Sequence, residues 1–205
     1  MWTIRNESLQ REGRTASPQK ERTKMFILLT GAARSGKTTA CWKALPGLRA
    51  AGVKIGGFVS PVLLDAAGVK TGIEMWDLST GEHRTLARVA RPGEPSTMGI
   101  YRFVEGATAW ARDVLAAALL ADIDWLVIDE IGPLELHQGG GFAFALEPLA
   151  DAVRAPNAIV MVRESLADEL AERLGRFDMV RVHVTPETRA DIPAQLVRLV
   201  QAART

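Results

Sequence analysis

The sequence predicts an α/β protein: a mostly parallel central sheet covered on both faces by helices, with an antiparallel meander inserted after the first helix. Three observations carry the prediction. Short, unbroken apolar runs alternate with helical stretches along residues 25–205. A glycine-rich loop joins the first of these runs to the first helix. Two tight turn signals, Asp65-Ala66-Ala67-Gly68 and Ser79-Thr80-Gly81-Glu82, bracket Val69–Leu78, and turns that short join antiparallel strands.

The elements follow in order. Phe26–Thr30 is apolar without alternation, as expected of a strand buried on both faces. A helix is predicted over Lys37–Ala50, stopped by Gly52. Val53–Ser60 reads as the second strand, and the meander comes next. Arg91–Gly99 reads as a loop, rich in proline and glycine, and Glu105–Leu120 as an alanine-rich helix. Ile123–Ile128 is an apolar strand, separated by Gly139-Gly140-Gly141 from a helix over 143–153. A strand at Ala158–Val162, a helix at Leu166–Leu174 and a strand at Met179–Val184 complete the alternation. The last helix is predicted to start at Thr185 as N-cap with Pro186 in its first turn. Ile192, Leu196, Leu199 and Val200 define its buried face.

Composition narrows the function classes. The chain has 205 residues, 47% hydrophobic and 24% charged, with a formal net charge of +1, which fits one domain with a core of its own. A balance so near neutrality excludes nucleic-acid or membrane binding driven by bulk charge. No apolar run reaches the ~18–20 residues that span a bilayer. Cys41 is the only cysteine and forms no internal disulfide, while His83, His137 and His183 are too scattered for a zinc motif. A cytoplasmic protein is expected. Residues 1–24 carry six basic and three acidic residues, have no periodicity, and lack the apolar centre of a signal peptide. They are expected to be a disordered polar extension to a domain over 25–205.

The chemistry-bearing motif is Gly31-Ala32-Ala33-Arg34-Ser35-Gly36-Lys37-Thr38 followed by Thr39, which fits G-x-x-x-x-G-K-[ST]. Gly31 and Gly36 permit the torsions that turn successive N–H groups inward, making a nest for phosphate oxygens. The helix that begins at Lys37 directs its positive end at the same anion. Lys37 supplies a mobile charge for the β- and γ-phosphates, and the Thr38 hydroxyl is placed to ligate Mg²⁺. The loop lies between an apolar strand and a helix, as the mechanism requires, and specifies the three-layer P-loop NTPase fold. Trp125-Leu126-Val127-Ile128-Asp129-Glu130 is an apolar strand ending in two acids. Asp129 is expected to hold Mg²⁺ directly or through water, and Glu130 to orient or deprotonate an attacking water. Arg88, Arg163 and Arg189 are candidates to stabilise charge on the γ-phosphate, with Arg88 foremost because it borders the Arg91–Gly99 loop. Arg34 sits inside the phosphate loop, Glu135 is read as half of a structural ion pair, and Cys41 as core packing.

The run Asp129-Glu130-Ile131-Gly132-Pro133-Leu134-Glu135-Leu136, joined to the phosphate loop, resembles the thermophilic-type nucleoside-triphosphatase family. The resemblance extends to Gly57-Phe58, Gly72, Leu86-Ala87-Arg88-Val89, Gly99-Ile100-Tyr101 and Val184–Arg189. It implies a small enzyme that hydrolyses ATP, GTP and other nucleoside triphosphates with broad base tolerance. The sequence departs from the family pattern at Val59-Ser60-Pro61-Val62-Leu63, where relatives often carry Tyr-Thr-x-Glu.

The leading expectation is therefore Mg²⁺-dependent hydrolysis of nucleoside triphosphates. A small-molecule or nucleotide kinase uses the same loop and acids with an acceptor in place of water. A nucleotide-dependent switch or assembly factor with slow hydrolysis would use them to time a partner interaction. No portable motif fixes the base or names a protein partner.

Overall fold

A computed structural model of the chain describes residues 24–151, 153–175 and 177–204. The polar extension predicted over residues 1–24 thus lies, apart from Lys24, outside the described residues. The elements run β1 (Met25–Thr30), α1 (Lys37–Ala50), β2 (Ile55–Val59), β3 (Val62–Leu64), β4 (Lys70–Asp77), β5 (His83–Val89), β6 (Tyr101–Phe103) and α2 (Ala107–Leu120). They continue with β7 (Trp125–Ile131), α3 (Pro133–Gln138), α4 (Leu146–Ala150), β8 (Asn157–Val162), α5 (Ala167–Leu174), β9 (Asp178–His183) and α6 (Ile192–Ala202).

Among the described residues the strands form one sheet in the order β6-β5-β4-β2-β7-β8-β1-β9, with β3 paired to β4. From β2 to β9 every pairing is parallel. From β2 outward through β4, β5 and β6 every pairing is antiparallel. The meander is therefore a wing that lengthens the central sheet, joined to it by the short β2–β4 pairing.

Strand sequence explains the layering. In β1 the side chains alternate between two cores: Phe26 and Leu28 enter one, Ile27 and Leu29 the other. β7 divides in the same way, with Leu126 and Ile128 on one side and Trp125 and Val127 on the other. A strand covered on both faces needs apolar residues at consecutive positions, which is why these runs lack alternation. One core is roofed by α2 and α5 through Ala111, Val114, Leu115, Leu170 and Leu174. The opposite core is roofed by α1 and α6 through Ala44, Leu45, Leu48, Leu196 and Val200. The result is a helix–sheet–helix sandwich with the carboxyl ends of the parallel strands along one edge, where open sheets of this kind bind ligands.

Two expectations are corrected. The last helix begins at Ile192, with Asp191 as N-cap and Pro193 in its first turn, and not at Thr185. The Thr185 hydroxyl accepts the N–H groups of Glu187 and Thr188, closing a separate turn. A serine or threonine hydroxyl serves a turn as readily as a helix cap, and here the turn wins. The predicted helix over 143–153 is a 3₁₀ turn (Ala143–Ala145) running into the short α4, and the glycine run before it follows the unpredicted helix α3. The remaining elements fall within a few residues of their predicted spans. Among the described residues no helix is long and apolar enough to cross a membrane.

Candidate nucleotide-binding site

The site is built where β1, β7 and β8 end together. The loop leaving β1 turns sharply at Gly31 (φ 148°) and passes Arg34 in a left-handed conformation (φ 68°) before α1 begins. A Cβ on Gly31 would lie 2.5 Å from Val184 O, so only glycine lets the loop close against the strand-end of β9. The Ser35 hydroxyl is buried in this loop without a hydrogen-bond partner. The first turn of α1 leaves its N–H groups without helical acceptors, as every helix start does. Arg34, Gly36, Thr38 and Thr39 line one open cavity of about 950 Å³.

Lys37 is only 4% exposed. Its Nζ donates to Gly31 O (3.2 Å) and Ala32 O (3.1 Å) and lies 3.4 Å from Glu130 Oε2. Arg163, the first residue after β8, approaches Glu130 from the other side, with Nε 3.6 Å from Oε1. Glu130 therefore stands between two cations at the cavity wall. Its neighbour Asp129 is buried, and its Oδ1 accepts a hydrogen bond from Thr38 Oγ1 at 3.2 Å. Asp129 Oδ2 accepts the Ser60 N–H at 2.9 Å, and the Ser60 hydroxyl donates to Asp129 O, also at 2.9 Å. Burial pushes the Asp129 carboxyl up to about 6, against the downward pull of the Ser60 hydrogen bond. A buried carboxylate beside a threonine hydroxyl is a pair of hard oxygen donors. Mg²⁺ bound mainly through a nucleotide's phosphates uses such a pair. Among the described residues no cluster of three histidine, cysteine or acidic side chains could hold a metal by itself.

The other candidates fall as follows. Arg88 faces Glu94 in a bidentate pair, Nη1–Oε2 2.7 Å and Nη2–Oε1 3.0 Å. It is absent from the cavity lining, whereas Arg163 is part of it. Arg189 lies against the loop, 3.5 Å from where a Gly36 Cβ would be. Glu135 accepts the N–H groups of Gly132 (2.8 Å) and Phe142 (3.2 Å) in place of the expected ion pair, and burial raises its carboxyl above the ordinary range. Cys41 is fully buried in α1, which pushes its thiol up, with the Asp129 charge adding to the effect. Such a thiol is inert packing. Sequence reasoning gave Ser60 no role. No local pattern marks it: β2 pairs with β7 at Phe58–Ile128, and only that pairing brings the residue just past β2 beside Asp129.

A glycine-and-lysine loop between a buried strand and a helix, facing two acids on a strand two positions away, defines a P-loop nucleotide-binding protein. A family model described as NTPase matches residues 26–197, and the chain belongs to that family. It is 33% identical over 172 residues to the nucleoside-triphosphatase THEP1 of Thermofilum pendens, covering 84% of this chain and 93% of that one. It is 30% identical over 175 residues to the nucleoside-triphosphatase THEP1 of Methanopyrus kandleri, covering 85% and 94%. The fold resembles the crystal structure of THEP1 from the hyperthermophile Aquifex aeolicus, with TM-score 0.61 and 22% identity over 87% of this chain and 99% of that one.

Proposed function

We propose that the protein hydrolyses nucleoside 5′-triphosphates to the diphosphate and phosphate, with Mg²⁺ as cofactor and Glu130 orienting the attacking water. One observation carries this reading: Glu130 stands at the cavity wall between Lys37 and Arg163, beside the phosphate loop. Family membership supports hydrolysis as the reaction.

The loop N–H groups from Gly31 to Thr39 and the Ser35 hydroxyl take the β-phosphate, a recognition that ignores the base and so admits ATP, GTP and other triphosphates. Lys37 exchanges part of its contact with Gly31, Ala32 and Glu130 for phosphate oxygens. Thr38 and Asp129 would hold Mg²⁺, which would supply charge neutralisation for the phosphates. Ser60 holds Asp129 in place through both its N–H and its hydroxyl. Glu130 accepts a proton from the water as its oxygen bonds to the γ-phosphorus, and the bond to the β,γ-bridging oxygen breaks. Arg163 is placed to meet the charge that develops on the γ-oxygens. Arg88 could do so only by releasing Glu94 and crossing to the cavity.

The test is phosphate release from several triphosphates with Mg²⁺ and no acceptor, comparing the wild type with Glu130→Gln. A fall of about 100-fold with nucleotide affinity retained is expected for loss of a general base. Undiminished turnover in Glu130→Gln would remove Glu130 from the reaction. An inactive wild type that binds Mg–ATP would remove hydrolysis.

A further inference from the structure

Sheet order gives a bound triphosphate its direction. The phosphate loop follows β1, and on the β9 side it is walled by Val184 and Arg189. Asp129 and Glu130 lie on the opposite side, on β7, beyond β8. With its terminal phosphate at Lys37 and Glu130, the nucleotide runs back over the loop toward Arg34 and the β9–α6 connection. The cavity continues the other way, past β7 and under the antiparallel wing. Its walls there are Leu63, Ile73, Leu86, Met98, Phe103 and Phe142, six apolar side chains from β3, β4, β5, β6 and two loops. A nucleotide lying in that direction would leave this part of the cavity open, and at about 950 Å³ the whole cavity lies at the upper end of small-molecule sites. Elsewhere on the lining, Glu74 is already engaged by Trp76 Nε1 (2.6 Å) and His83 Nδ1 (3.0 Å), while Lys70 stands at the start of β4.

We propose that this chamber is a second small-molecule site for an uncharged, largely apolar alcohol whose hydroxyl reaches Glu130 and accepts the terminal phosphoryl group in place of water. The walls favour an apolar body, because six apolar side chains make up most of this part of the lining and would strip a charged body of its hydration, and Lys70 is the single cation that the wing adds to it. In the step, the alcohol oxygen bonds to the γ-phosphorus and the bond from that phosphorus to the β,γ-bridging oxygen breaks. The hydroxyl proton passes to Glu130, and a phosphate monoester and a nucleoside diphosphate leave. The proposal rests on the hydrolase reading for the direction of the phosphate chain and for the role of Glu130.

The full chain with Mg–ATP and, in turn, 2-phenylethanol, 3-phenylpropanol and 4-phenylbutanol tests it, with products followed by phosphorus NMR. A monoester signal that saturates with alcohol concentration is expected. Its ratio to inorganic phosphate should fall at least about tenfold in Met98→Trp and in Phe103→Trp, both of which fill the chamber. Two positions are used so that one misfolded variant does not decide the outcome. Inorganic phosphate alone with all three alcohols, up to their solubility, overturns the proposal and leaves hydrolysis standing. A monoester formed in undiminished ratio by both folded variants also overturns it, since the alcohol then reacts from elsewhere. Failure to bind Mg–ATP or to release any product overturns the hydrolase reading together with it.

Discussion

Asp129 is a buried acid whose folded form holds its proton more tightly than an exposed carboxyl does. Its pKa is raised, so the protonated form stabilises the fold below the ordinary value near 3.8. That contribution is lost as pH climbs from there through about 6. Without nucleotide and Mg²⁺, Asp129→Asn should therefore gain on the wild type by about 1 kcal/mol between pH 5 and pH 7, read as a widening gap in Tm. A constant gap would mean that Asp129 is ionised throughout. The two arginines separate by placement. Arg163→Ala should lower kcat about tenfold to 1,000-fold, as loss of a charge-stabilising donor does, while Arg88→Ala should move Tm more than turnover. Equal losses of kcat from the two would mean that Arg88 leaves Glu94 during the reaction. That the loop, Lys37, Thr38 and Asp129 come together was legible from the motif spacing, since the loop and the acidic strand end are each a fixed local pattern. Arg163 was one of three arginines named, and only the β8–β7 pairing distinguishes it. Ser60 was illegible because its partner lies on β7, a strand that only the fold brings alongside.

At the scale of elements, α3 and the turn after it hang on Glu135. Its two oxygens take N–H groups from Gly132, ahead of the helix, and Phe142, beyond the glycine run. This staple seats Phe142 in the core and on the chamber wall. Glu135→Ala leaves both N–H groups without their acceptor and should cost about 2–4 kcal/mol, measured by denaturant unfolding. Gly141→Ala should approach that loss, because the added Cβ would run into Glu135 Oε1 at a backbone position with φ 53°. A Gly141→Ala protein as stable as the wild type would mean that the glutamate is free to move. Element boundaries were legible where one signal stood alone. α1 begins at the lysine of the loop and ends where Gly52 follows, as read. For α6, Thr185-Pro186 and Asp191-Ile192-Pro193 offer equivalent starts within a few residues. The choice between them was made by burial of Ile192, Leu196 and Val200 against α1 and the sheet, a tertiary term that no local pattern contains. α3 was missed because six residues are too few to show a period.

Over the whole molecule, a nucleotide bound as proposed would bridge parts that are otherwise joined through the sheet: the β1–α1 loop, the end of β7 and the residue after β8. A ligand that binds only this assembled state stabilises it by mass action, about 2.7 kcal/mol at a hundredfold excess over Kd. For a chain of this size that corresponds to a Tm rise of roughly 5–10 °C. Mg–ADP should produce it in the wild type and not in Lys37→Ala. A similar rise in the lysine variant would move the binding site away from the loop. The alternation of strand and helix, and hence the layered sheet, was legible from the apolar runs. The continuity of the wing with that sheet was not, because it depends on a short β2–β4 pairing at Phe58–Asp77 and Val59–Trp76, extended by the Leu78 N–H to Gly57 O.

The seat of β1 between β8 and β9 also bears on the order in which the protein is made. The glycine loop is translated before both strands that flank its own strand. Until they emerge, β1 has no ladder on either edge, and Gly31 has no Val184 against which to close. A nascent chain halted after the wing would carry every residue of the phosphate loop without the two strands that flank β1. On the proposed reading, nucleotide capture during synthesis would wait for the last strand to dock.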